Sequence, residues 1–148
     1  DTPSHQKCLE DFLIKHGGYE KRNHASNVYL GNQGDKDFME SLLVKSGGNY
    51  DIIVDDGGHT SELSRNSFEV LWKSVKPGGL YFIEDLQVYQ FGDRSLMDEI
   101  HGWIEQLATA KSKSPVEGKD KPDDMMWIAC QHEMCVFRKK PERKGGIF

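Results

Sequence analysis

DIIVDDGGHTSELSRNSFEVLWKSVKPGGLYFIED, residues 51–85, decides how this chain folds. It holds two short apolar runs, residues 51–55 and 80–83, of the length and bounding expected of buried strands. Each run ends in acid, Asp55-Asp56 after the first and Glu84-Asp85 after the second. Between them Phe68, Leu71 and Val75 recur at spacings of three and four with Trp72 beside them, which predicts a helix with one face for a sheet. Lys76-Pro77-Gly78-Gly79 is predicted to end that helix and turn the chain into the second strand. Strand, helix and strand then form one unit whose strands are parallel and joined right-handedly. Sheets of this kind bind ligands beyond the carboxyl ends of their strands. If the two strands are neighbours, their backbones lie about 4.8 Å apart, so Asp56, Glu84 and Asp85 are predicted to reach one point. Three carboxylates held together repel and take up protons unless a positive charge sits among them. A hard divalent cation, which prefers oxygen ligands, meets that need. His59 follows Asp56 by three residues and lies on the rim of the same cluster. An imidazole titrates near neutral pH and suits proton removal there, whereas a helix-entry histidine bonded to backbone is the bland alternative.

Outward from this unit the chain alternates. Upstream, residues 4–16 are predicted as a helix capped by Ser4, with Leu9, Phe12, Leu13 and His16 on one face and Gly17-Gly18 after it. Residues 27–30 are a short strand candidate, residues 31–35 the turn after it, and Phe38, Leu42 and Leu43 mark a helix closed by Gly47-Gly48. Downstream, residues 86–93 form a loop leaving the acidic strand end. Its Tyr89 and Phe91 are expected either to wall a ligand pocket on the face where the strands end or to be exposed loop aromatics without a role. Ser95 with Asp98 three on resembles a capping box, and Leu96, Ile100, Trp103 and Leu107 then make an apolar stripe. Residues 111–124 read as a charged loop. Residues 125–130 and 134–137 read as two strands joined at Gln131-His132-Glu133. The expected fold is α/β, a mostly parallel sheet with a C-terminal antiparallel hairpin supplying an edge strand.

Composition narrows the functions open to such a fold. The 148 residues suit one domain, and no apolar run approaches the roughly 20 residues that span a bilayer. A net charge of −5 argues against a phosphate-tracking nucleic-acid surface. Three cysteines give no disulfide framework and suit a reducing, cytoplasmic setting. Cys130, His132 and Cys135 match no standard zinc spacing and are assigned to packing and turn, as Trp72 and Trp103 are assigned to the core.

The paired DDGGH and YFIEDL motifs, with KPGG before the second, resemble the C-terminal portion of a class I S-adenosylmethionine-dependent methyltransferase. Within that class they are similar to the metal-dependent macrocin- and mycinamicin-type sugar O-methyltransferases, with the cephalosporin-hydroxylase-like proteins as close neighbours. The resemblance covers roughly residues 28–139. It implies a partial Rossmann-like sheet, S-adenosylmethionine and Mg2+ or another divalent cation as cofactors, and methyl transfer to a hydroxyl of a sugar or small molecule. It also implies magnesium coordination by Asp56, Glu84 and Asp85, with His59 as the catalytic base. Gly31-Asn32-Gln33 corresponds to a G-D-Q turn near the cofactor's adenine, with Asn32 in place of the acid. Asp55 is read as a structural or cofactor-side acid, and Asp1 as the acid that holds the cofactor ribose. The family's first strand and Gly-rich loop have no counterpart before Asp1. The chain is therefore expected to be one N-terminally truncated domain, inactive alone, and compatible with a homo-oligomer. A degenerate domain that binds metal or a partner without catalysis stays open as the alternative, as does another metal-dependent enzyme of the neighbouring group.

Overall fold

The computed structural model describes residues 28–109 and 120–142, without the side chains of residues 90 and 91. The helix expected over residues 4–16, Asp1 and the side chain of Phe91 lie outside this set. Among these residues three α-helices and four strands follow in the order α1 (Lys36–Ser46), β1 (Tyr50–Asp55), α2 (Ser61–Leu71), β2 (Val75–Ile83), α3 (Ser95–Thr109), β3 (Met125–Gln131) and β4 (Met134–Lys139). The sheet order is β1-β2-β4-β3. β1 and β2 are parallel neighbours, while β2–β4 and β3–β4 are antiparallel. The architecture is thus the expected α/β one, but the sheet is mixed. The last strand enters beside β2 and leaves β3 at the edge.

Local chemistry sets the element ends. Asp35 caps α1, its Oδ1 accepting from the backbone N–H of Asp37 at 3.0 Å and of Phe38 at 3.2 Å. Gly47, at φ +81°, closes the helix in the left-handed conformation. α2 stops at Leu71, and Trp72–Ser74 add one tighter turn before β2 begins at Val75. The KPGG segment, expected to be a turn before the strand, lies inside β2. Tyr50 pairs with Val75 and Ile52 with Leu80, so residues 76–79 bulge out of the ladder. A proline suits such a bulge because the bulged residues need not donate to the ladder. Of the strand candidate at residues 27–30, the described residues 28–30 are not strand.

One face of the sheet carries the core. Tyr81 and Ile83 of β2 and Cys135 and Phe137 of β4 are buried, alternating with half-buried neighbours. Phe68 of α2 is their hub, its ring centroid 5.0 Å from Tyr81, 5.2 Å from Trp72, 5.2 Å from Trp103 and 5.2 Å from Phe137. Leu96, Ile100 and Trp103 of α3 complete it, as their stripe predicts. Tyr89 belongs here too. It is 2 % exposed, and its hydroxyl bonds Ser64 Oγ at 2.7 Å, so it lies in the core rather than on the surface of its loop. Cys130 and Cys135 face each other across the hairpin and form a disulfide, which corrects the expectation of unpaired packing cysteines. Among the described residues no helix is long and apolar enough to cross a membrane.

Candidate functional site

β1 and β2 are parallel, so their carboxyl ends lie side by side and one acid from each strand end, Asp56 and Asp85, meets the other at one rim. The pairing continues one residue past the strands, where Glu84 N donates to Asp55 O at 3.0 Å. Beyond Asp55 the chain turns sharply through Gly57 and Gly58. Gly58 is at φ +65° and His59 at φ +41°, and His59 N donates back to Gly57 O at 2.7 Å. A left-handed angle is rare for a residue with a side chain and marks a turn held in place by its surroundings. Asp85 takes a second such angle, φ +55°, at the end of β2. The two turns bring His59 Nε2 to 3.6 Å from Asp85 Oδ2.

Asp56, His59 and Asp85 each offer one ligand atom, and these atoms lie within 4.8 Å of one another. Asp56 and His59 are exposed and Asp85 is half-buried, so the cluster is open to solutes. Two carboxylate oxygens on one spot suit a divalent cation that keeps open positions for other ligands, and the imidazole nitrogen beside them is placed to take a proton from such a ligand. The carboxylate of Glu84 is not among the three groups brought together. Asp85 Oδ1 also accepts from Gln87 Nε2 at 3.2 Å, which fixes its orientation.

Behind this rim lies a buried polar network. Asp55 is 8 % exposed; its carboxylate accepts from Gln33 Nε2 at 2.8 Å and from the Tyr81 hydroxyl at 3.3 Å. Burial pushes its pKa up from 3.8 to about 6, against the opposing hydrogen bonds from Gln33, Tyr81 and the Gly57 backbone. Burial, and then the neighbouring Asp55, pushes the Tyr81 hydroxyl well above its ordinary range. Gln33 Nε2 also donates to Ser67 Oγ at 2.6 Å. Asn32 turns inward on its own loop, its Oδ1 accepting from Gly34 N at 2.9 Å. Gly31 leaves no room for a side chain, since a Cβ there would lie 2.0 Å from the Phe38 ring. Ser67 was not singled out in the sequence. The signal was present in Ser61, Ser64 and Ser67, three small hydroxyls at helical spacing that are all buried, of which Ser67 reaches this network.

No family model matches the sequence. Among curated proteins the chain is 41% identical over 145 residues to demethylmacrocin O-methyltransferase of Streptomyces fradiae, a match covering 86% of this chain and 36% of that protein. It is 43% identical over 132 residues to mycinamicin VI 2''-O-methyltransferase of Micromonospora griseorubida, covering 79% of this chain and 32% of that protein. The chain therefore spans about a third of the length of these relatives. Among solved structures it resembles the MycE methyltransferase of the mycinamycin biosynthetic pathway in complex with Mg, SAH and mycinamycin VI. That match has a TM-score of 0.58 at 26% identity and covers 82% of this chain and 33% of the other.

Proposed function

We propose that this chain, a homologue of the macrocin- and mycinamicin-type sugar O-methyltransferases, serves metal-assisted methyl transfer from S-adenosylmethionine to a hydroxyl of a sugar or other small molecule. The observation that carries the reading is the meeting of Asp56, His59 and Asp85 at two adjoining parallel strand ends. Asp56 and Asp85 hold the cation, with Glu84 the third acid of the set at the same strand end. The turn of Gly31, Asn32 and Gln33, together with Asp55 and Asp1, is assigned to the cofactor side.

Bound S-adenosylmethionine would supply a methyl group on a sulfonium whose sulfur leaves as the neutral thioether, and a divalent cation would supply positive charge that favours the ionised acceptor. His59 takes the acceptor's proton at Nε2, the atom that faces Asp85. The Asp85 carboxylate then lies beside the imidazolium and stabilises it. By holding a cation, Asp56 and Asp85 would also favour one place for the acceptor oxygen, and positioning is where much of the gain in such a displacement arises.

The test is transfer of labelled methyl to a macrolide glycoside by the protein that carries this chain. Chelating divalent cations should abolish transfer. His59→Ala should lower kcat by about 10²–10⁴-fold while metal affinity stays close to that of the parent. Turnover that survives both chelation and His59→Ala contradicts the proposal.

A further inference from the structure

Gln33 lies outside the acid cluster, yet its side chain ties together three parts of the fold that build it. Nε2 donates to Asp55 Oδ1 at the end of β1 and to Ser67 Oγ on α2, so both amide hydrogens are engaged inside the protein. Oε1 rests on the Gly57-Gly58 turn. A Cβ built on Gly57 would lie 2.9 Å from that oxygen, and one built on Gly58 only 2.6 Å from it. At Gly57 the three nearest atoms to such a Cβ all belong to Gln33. The turn is therefore wrapped on the Gln33 amide, and the same turn accepts the His59 N–H through Gly57 O.

We propose that Gln33 is a positioning residue whose amide is the template for the Gly57-Gly58 turn, and that it thereby holds the His59 imidazole beside Asp85. What His59 does there rests on the proposed methyl transfer, but its placement does not. The loop before α1 in this way governs a side chain after β1, and the second glycine of the pair, at φ +65°, supplies the conformation the wrapping needs.

The experiment is nuclear magnetic resonance on the chain without added metal, reading cross-relaxation between the His59 ring protons and the Asp85 methylene protons. A failure of metal binding or of methyl transfer leaves this signal untouched, so the two proposals fail separately. In the parent chain the contact is expected. In Gln33→Ala it should be lost while the contacts of the Phe68 cluster persist. Gly57→Ala should also lose it, because the new Cβ meets Gln33 Oε1. In the double variant, Gly57→Ala should add nothing to the effect of Gln33→Ala. A folded Gln33→Ala that keeps the His59–Asp85 contact overturns the proposal, and so does an equal effect of Gly57→Ala in both backgrounds. Gln33→Met retains the length of the side chain and serves if the alanine variant does not fold. If neither variant folds, Gln33 holds the fold rather than His59 and the proposal is overturned.

Discussion

His59 and Asp85 are the two non-glycine residues whose left-handed angles build the site, at φ +41° and +55°. Backbone in such regions costs about 1–3 kcal/mol per residue and persists only where its surroundings over-determine it. The Gly57 carbonyl and Gln33 do so for His59, and Gln87 steadies the Asp85 side chain. Asp93 shows an ordinary use of a carboxylate nearby. It starts α3 by accepting from Ser95 N at 2.9 Å and from Ser95 Oγ at 3.0 Å. These bonds, the backbone one first, hold its pKa below the usual 3.8. A lowered carboxylate pKa contributes stability that is present above the unfolded value and lost as pH falls through the folded one. Asp93→Ala should therefore lower the urea midpoint at neutral pH, and the gap from the parent should close as pH falls below the ordinary carboxylate range. A gap that stays constant with pH would contradict this. Ser95 and Asp98 suggested a capping box, yet the Ser95 hydroxyl turns to Asp93, two residues before it. The DDGGH and YFIED motifs made Asp56 and His59 legible at once. Which carboxylate of the second pair joins them was not legible. On an extended strand Glu84 and Asp85 alternate faces, and the left-handed turn at Asp85 breaks that alternation.

At the scale of elements, apolar spacing marked α2 and α3 because both bury a face against one sheet. α2 was read too long, through Val75, because Val75 continues the apolar spacing. In the structure it pairs with Tyr50 as the first residue of β2. The KPGG bulge was read as a terminator for the same reason, since proline and glycine signal a break in either setting. Cysteine count hid the disulfide, whereas register reveals it. The turn at His132-Glu133 pairs Gln131 with Met134, which leaves Cys130 opposite Cys135, Cα to Cα 4.1 Å. Closing so short a loop is worth about 2 kcal/mol in the chain-entropy account. Cys130→Ser should lower unfolding stability by that amount, and reduction of the parent chain should lower it equally. An unchanged denaturant midpoint in both would show that the hairpin does not depend on the bond.

For the molecule as a whole, the core is one-sided among the described residues. Phe137 is fully buried, whereas Ile52 and Val54 of β1 are 58 % and 54 % exposed. Phe137→Ala should cost about 3–5 kcal/mol. Ile52→Thr and Val54→Thr should each change the stability of this chain by no more than about 0.5 kcal/mol. Large losses at Ile52 or Val54 in denaturant titrations would mean that this face is covered in solution. The covered side supports the parallel pair, and the pair sets its two acidic ends at one rim, the proposed place of a cation. Calorimetric titration of Mg2+ into the chain tests that placement most directly, with Asp56→Asn and Asp85→Asn measured beside the parent. Binding heat in the parent that disappears in both variants is the predicted result. Equal heats in all three, or none in the parent, would contradict the metal site and the function built on it.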